Sequence, residues 1–162
     1  MAIRNWLIPL AYATASITLL CAPAQAIQRN TFLRVLQMHG IRVYEQPYCE
    51  SRTTIALYYT RSNSICVSSV LTPTYRSLDT ALTHEAVHAA QDCAAGQHNK
   101  RLSIITPKNA RDSVVLDKLS RSQLAHIGRS YSERDWVIEM EAYALENDPD
   151  LVAGLVTILC SQ

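Results

Sequence analysis

The sequence has no surplus of charge of either sign: 15 Lys and Arg stand against 14 Asp and Glu. That balance gives no electrostatic case for binding nucleic acid or acidic lipid. There is no internal repeat, no low-complexity tract and no linker-like run, so nothing divides the chain into several domains. No C-x-x-C spacing occurs, which discounts a cysteine-built metal site. A glycine-rich phosphate loop is missing, and so is the strand-turn-helix elbow of a serine nucleophile. Long hydrophobic runs are scarce too. The apolar stretch from Trp6 to Ala22 is short for a membrane span of about 20 residues, and Pro9 interrupts it.

That stretch instead has the layout of a secretory signal. Arg4 lies in a short basic start, the apolar run follows, and Ala24-Gln25-Ala26 supplies a small-x-small cleavage pattern. The alternative is an uncleaved anchor. The expected arrangement is a signal peptide over residues 1–26 and one domain over residues 27–162, secreted or periplasmic, with no stable membrane insertion after cleavage. The cysteines agree with export. Cys21 leaves with the signal, and Cys49, Cys66, Cys93 and Cys160 remain, an even number suited to an oxidising compartment. Of the three possible pairings, Cys49–Cys66 with Cys93–Cys160 is favoured, against free buried thiols as the alternative. The first bridge would staple a local pair of strands, and the second would tie a central helix to the C-terminal one.

The order of elements points to an α+β domain, a few strands followed by helices. Asn30 to Gln37 reads as a short helix that Gly40 stops. Ile41–Tyr44, Thr53–Tyr59 and Ile65–Leu71 are rich in β-branched and aromatic residues and form a small antiparallel sheet, with a hairpin near Ser62 and Asn63. Leu78–Ala95 is a helix stopped by Gly96. Further helices are expected from about Leu116 to Ile127, over Glu133–Asn147 with Ser132 as cap, and over Leu151–Cys160 capped by Asp150. The C-terminal half is thus mostly helical.

What is present, in a chain with only five histidines, is H-E-A-V-H at residues 84–88. Four helical residues advance about 400°, so His84 and His88 lie on one face a turn apart, able to grip one metal ion. Glu85, about 100° around, is placed to take a proton from water at that ion. Gln91 and Asp92 fall on the same side, and Asp92 is a candidate to hold a histidine ring from behind.

Two histidines do not complete a catalytic zinc site, which usually has three protein ligands and an open position. Gln91 and Ala94 occupy the places where long-motif metallopeptidases put a glycine and a further histidine. The third ligand is sought in "SERDWVIEMEAYALEND". At about 100° per residue, Asp135, Glu139 and Glu146 form one polar stripe, expected to face solvent, whereas Glu141 falls inside the apolar sector. A bare carboxylate buried there is costly, and a cation would remove the cost. Glu141 is therefore the expected ligand, Glu139 the fallback, and an ion pair of Glu141 with Arg134 the plain alternative.

H-E-A-V-H on one helix and a glutamate in E-M-E-A-Y-A on a later one resemble the gluzincin branch of zinc metallopeptidases. The resemblance implies a zincin-like fold, Zn2+ as cofactor, and peptides or proteins as substrates. His84, His88 and Glu141 match its ligands, and Glu85 matches its general base. Many gluzincins place an aspartate four residues beyond the ligand glutamate. Here that residue is Leu145, so Asp92 or a backbone carbonyl must support the histidine instead. The tetrahedral oxyanion needs one more donor. Tyr131, in a loop flanked by glycine and serine, ranks ahead of Tyr143 and His126. The expected function is an exported zinc metalloendopeptidase. The alternative is a non-catalytic secreted domain whose metal site is structural or vestigial and which binds a partner.

Overall fold

Phe32 and Leu36, four residues apart, bury one side of the first helix, α1 (Ala24–Met38). It ends where Gly40 adopts φ 72°, with Ile41 N–H donating to Leu36 O and Gly40 N–H to Gln37 O. That pair of hydrogen bonds is a left-handed cap, and Leu36 and Ile41 on either side of it both enter the core. The computed structural model describes residues 24–97, 101–108 and 115–161. Most of the expected signal peptide lies outside them, as does Cys21, and Ala24–Ala26 belong to the first turn of α1.

Three strands follow: β1 (Arg42–Gln46), β2 (Ala56–Tyr59) and β3 (Ser64–Ser68). The sheet order is β1-β3-β2. β2 and β3 form the expected antiparallel hairpin, turning through Asn63 at φ 45°. β1, however, pairs parallel to β3, so the sheet is mixed, not wholly antiparallel. The reason is the path of residues 47–55. This strap leaves β1 and crosses the end of β3 to reach the opposite edge. Ser68 Oγ donates to Pro47 O, Ser68 N–H to Ile55 O, and the Cys49–Cys66 disulfide pins the strap onto the middle strand. Ile65 and Val67 meanwhile enter the main core, so β3 is buried along its whole length.

The long helix α2 (Tyr75–Ala94) starts at a capping box between Thr74 and Ser77 and ends at Gly96, φ 91°. Its Leu78, Leu82, Ala86, Val87, Ala89 and Ala90 join the sheet and α1 in one core. A 3-10 turn (Leu116–Lys118) and α3 (Arg121–Ser130) stand where one helix ending at Gly128 was expected. Ser120, in a capping box with Gln123, restarts the chain as a helix, and Gly128 sits inside it. α4 (Trp136–Leu145) crosses α2. α5 (Pro149–Leu159) is capped by Asp148, whose side chain accepts from Leu151 N–H, and not by Asp150. Pro149 at its first position needs no N–H partner. The Cys93–Cys160 disulfide joins the last turn of α2 to the end of α5. Both expected bridges are therefore present. The fold is α+β, with a three-stranded sheet and a mostly helical C-terminal half. Among the described residues, no helix is long and apolar enough to cross a membrane.

Candidate metal centre

α2 presents His84 and His88 on the side that faces α4, their ring centroids 5.0 Å apart and edge-on. Opposite them stands Glu139, on the first turn of α4. Its Oε2 lies 3.5 Å from His84 Nε2, and its Oε1 3.5 Å from His88 Nε2. One ligand atom from each of the three residues lies within 4.8 Å of the others, and all three residues are buried. Bonds of about 2.0–2.2 Å at tetrahedral angles put ligand atoms about 3.3–3.6 Å apart, so the spacing suits a small cation.

The other ring nitrogens are already engaged. His84 Nδ1 is 3.1 Å from Glu146 Oε2, and His88 Nδ1 is 2.8 Å from Gln91 Oε1. Both partners are acceptors, so each ring has a hydrogen on Nδ1 and turns Nε2 toward Glu139. Glu139 Oε2 is buried without a hydrogen bond. Its nearest partner is His84 Nε2, beyond good hydrogen-bond length, and a cation between the carboxylate and the two imidazoles would satisfy it more fully.

Charges in the cluster are tightly coupled. Burial opposes a charge on His84, but Glu139 and Glu146, helped by Glu85, outweigh it and raise its pKa from 6.5 to about 10. Burial opposes the charge on Glu139 as well, yet His84 and His88 draw its pKa down to about 2. Without a metal, a proton on His84 holds the pair together.

Glu85 is 7% exposed, and its Oε2 accepts the Tyr58 N–H at 2.7 Å. β2 is an edge strand, and this bond fixes the carboxylate against it. Glu85 is close enough to raise the pKa of His84, Tyr131 and Tyr143. The Tyr143 ring lies 4.7 Å from that of His84, and His126 lies 5.9 Å from Tyr143 and 6.3 Å from Tyr131. Burial first, then the Glu139 charge, with Tyr143 contributing, pushes the Tyr131 phenol well above its usual value. Of the three residues named as oxyanion donors, Tyr143 lies against His84, and His126 and then Tyr131 follow behind it.

A family model described as "Domain of unknown function (DUF8637)" matches residues 48–161. The chain belongs to that family. The DUF8637 region includes His84, Glu85, His88, Glu139, Glu146 and all four bridging cysteines, while α1 and β1 lie ahead of it. No curated protein and no solved structure gives a significant match.

Two expected roles are corrected by the geometry. Glu141 is fully buried, but it does not reach the histidines. Its Oε1 accepts from Thr106 N–H at 2.6 Å, and its Oε2 from Ile105 N–H at 3.1 Å and Gln91 Nε2 at 2.9 Å. Hydrogen bonds, not a cation, offset its burial, and Glu139 takes the place beside the imidazoles. Asp92 supports neither ring; its Oδ2 accepts from the Tyr58 hydroxyl at 2.8 Å. Gln91 and Glu146 hold the histidines instead. The sign of this was the polar stripe Glu139–Glu146, which matches the polar face of α2 and turns toward it. His98 lies outside the described residues. His39 belongs to the turn after α1, where its carbonyl accepts from Asn63 Nδ2.

Proposed function

We propose that the protein is an exported, zinc-dependent peptide hydrolase whose ligands are His84, His88 and Glu139, with Glu85 as general base. The observation that carries this is the pairing of tautomer and target. Both Nδ1 atoms are occupied by acceptors, and both Nε2 atoms converge on one carboxylate. A bound zinc would supply a Lewis acid for the scissile carbonyl and make nearby water more acidic. The chain's own residues account for the rest. Glu85, held by Tyr58 N–H, takes a proton from the attacking water and returns it to the leaving amine. Tyr131 or Tyr143, next to His84, donates a hydrogen bond to the oxyanion. The two disulfides support an oxidising compartment, outside the cytoplasm.

A second reading has its own support. His84, His88 and Glu139 are each only 8% exposed. So enclosed a group also suits a structural ion in a non-catalytic domain. One experiment separates the two. The chain is produced with its disulfides formed, its zinc content is measured, and cleavage of unfolded casein is compared with that of Glu85→Gln. Stoichiometric zinc with cleavage that falls about 10²–10⁴-fold in the variant supports the hydrolase. Zinc without cleavage supports the structural ion, and no zinc sinks both.

A further inference from the structure

An open cavity of about 620 Å3 lies between α1, the first half of α2 and the turn into α5. Its size falls within the range of ligand pockets, about 300–1,000 Å3. It shares one residue with the metal centre, Glu146, which lines it and holds His84 Nδ1. We propose that this cavity binds a short zwitterionic peptide, a dipeptide with apolar side chains, with Arg76 on its carboxylate and Asp79 on its ammonium group. The inference needs no metal and stands apart from the hydrolase reading.

Four charged residues line the cavity, and two of them are already matched. Arg29 lies between Glu45 and Asp79, and Glu146 faces His84 Nδ1. Arg76 is exposed and makes no ion pair or hydrogen bond through its guanidinium among the described residues. Asp79 is only partly answered. Its Oδ1 is buried without a hydrogen bond and meets Arg29 Nε at 3.4 Å, while the side chain as a whole is 38% exposed. Burial raises its pKa against the pull of Arg29, as expected of a carboxylate short of donors. A free cation and an under-satisfied anion therefore border one space. A ligand with a single charge would answer only one of them, and a zwitterion answers both.

The spacing selects the length of that zwitterion. Arg76 and Asp79 are three residues apart on α2, which puts their Cβ atoms about 5–6 Å apart on one face. Helical side chains lean toward the N-terminus, so the longer arginine carries its charge away from Asp79. That direction also explains why the two do not pair. The ammonium and carboxylate of a single amino acid sit on one carbon, too close to reach both groups. Two extended residues span about 7 Å, which suits the gap. Phe32, Leu82 and Pro149 add apolar wall for the two side chains.

The test uses the full chain with its disulfides formed, in chelator so that no hydrolysis consumes the ligand. Binding of leucyl-leucine is measured by calorimetry and mapped by backbone amide shifts. It should bind, with shifts over residues 76–83 and 146–149. Acetylating its amine or amidating its carboxylate should each weaken binding about 10–100-fold. Arg76→Ala should weaken leucyl-leucine by the same factor and leave its amide unchanged. Asp79→Asn should likewise erase the preference over the acetylated form. Because Arg76 is exposed and unpaired, its variant keeps the test open even if Asp79→Asn does not fold. The proposal is overturned if leucyl-leucine does not bind at millimolar concentration, or if the shifts map away from the cavity. It is overturned equally if either blocked form binds like the free peptide, if free leucine binds as tightly, or if Arg76→Ala binds as wild type does. A chain without zinc or without casein cleavage changes none of these outcomes, so the two readings fail separately.

Discussion

Tyr58 touches α2 twice: its backbone N–H donates to Glu85 Oε2 at 2.7 Å, and its hydroxyl donates to Asp92 Oδ2 at 2.8 Å. One strand residue thus holds both the proposed base and a buried carboxylate two turns further along the helix. Tyr58→Phe keeps the first bond and removes the second. It should destabilise the fold by about 1–3 kcal/mol, since a buried carboxylate loses a donor. Zinc affinity should not change, because Asp92 does not support the histidines. Chemical denaturation beside chelator competition checks both parts, and a zinc defect would contradict the placement of Asp92.

Glu139→Ala should weaken zinc binding by at least about a hundredfold, because two histidines alone leave a labile site. In the metal-free variant the pKa of His84 should fall, with Glu146 and Glu85 still holding part of the rise. Imidazole titration by NMR reads this directly. A near-normal zinc affinity would mean that another group completes the site.

The coupled pKa values set a pH window for the metal-free protein. His84 contributes stability fully below its ordinary 6.5, and that contribution fades as pH rises toward about 10. Glu139 contributes fully above 4.5, and that contribution fades as pH falls toward about 2. The pair is thus at full strength between those ordinary values, and the melting temperature in chelator should fall on either side. Zinc must displace the His84 proton, so its affinity should rise about tenfold per pH unit up to about pH 10. Flat affinity over that range would contradict a protonated His84 in the metal-free site.

The two disulfides close loops of different length, with separations of 17 and 67 residues. Chain-entropy reasoning gives about 3 kcal/mol for the first and about 4 kcal/mol for the second. Replacing both cysteines of a pair with serine and measuring unfolding in urea tests the order. Cys93–Cys160 should be the costlier loss.

Much of this was legible in the sequence because it is local. The H-E-x-x-H step of four residues, the glycine stops after α1 and α2, and the hairpin at Asn63 depend on near neighbours alone. The cysteine pairing was legible because only three combinations exist. What failed was long-range. A helical wheel placed Glu139 on a polar stripe and Glu141 on an apolar one, and it was read as if water lay outside the polar stripe. In the fold that stripe faces another helix's polar face, and the apolar sector contains two backbone N–H groups from residues 105 and 106. Neither partner is near in sequence. The parallel pairing of β1 was hidden for the same reason: it follows from where the 47–55 strap crosses, and strand composition carries no trace of that path.

The bridge between Cys93 and Cys160 has a consequence for the order of assembly. It fastens the helix bearing the histidines to the end of the segment bearing Glu139, and so shortens the covalent route between the two halves of the ligand group. An ion arriving afterwards has little chain freedom left to remove and enters a frame already standing. Oxidation would come first and any metal second, so the chain could reach its final shape before an ion enters.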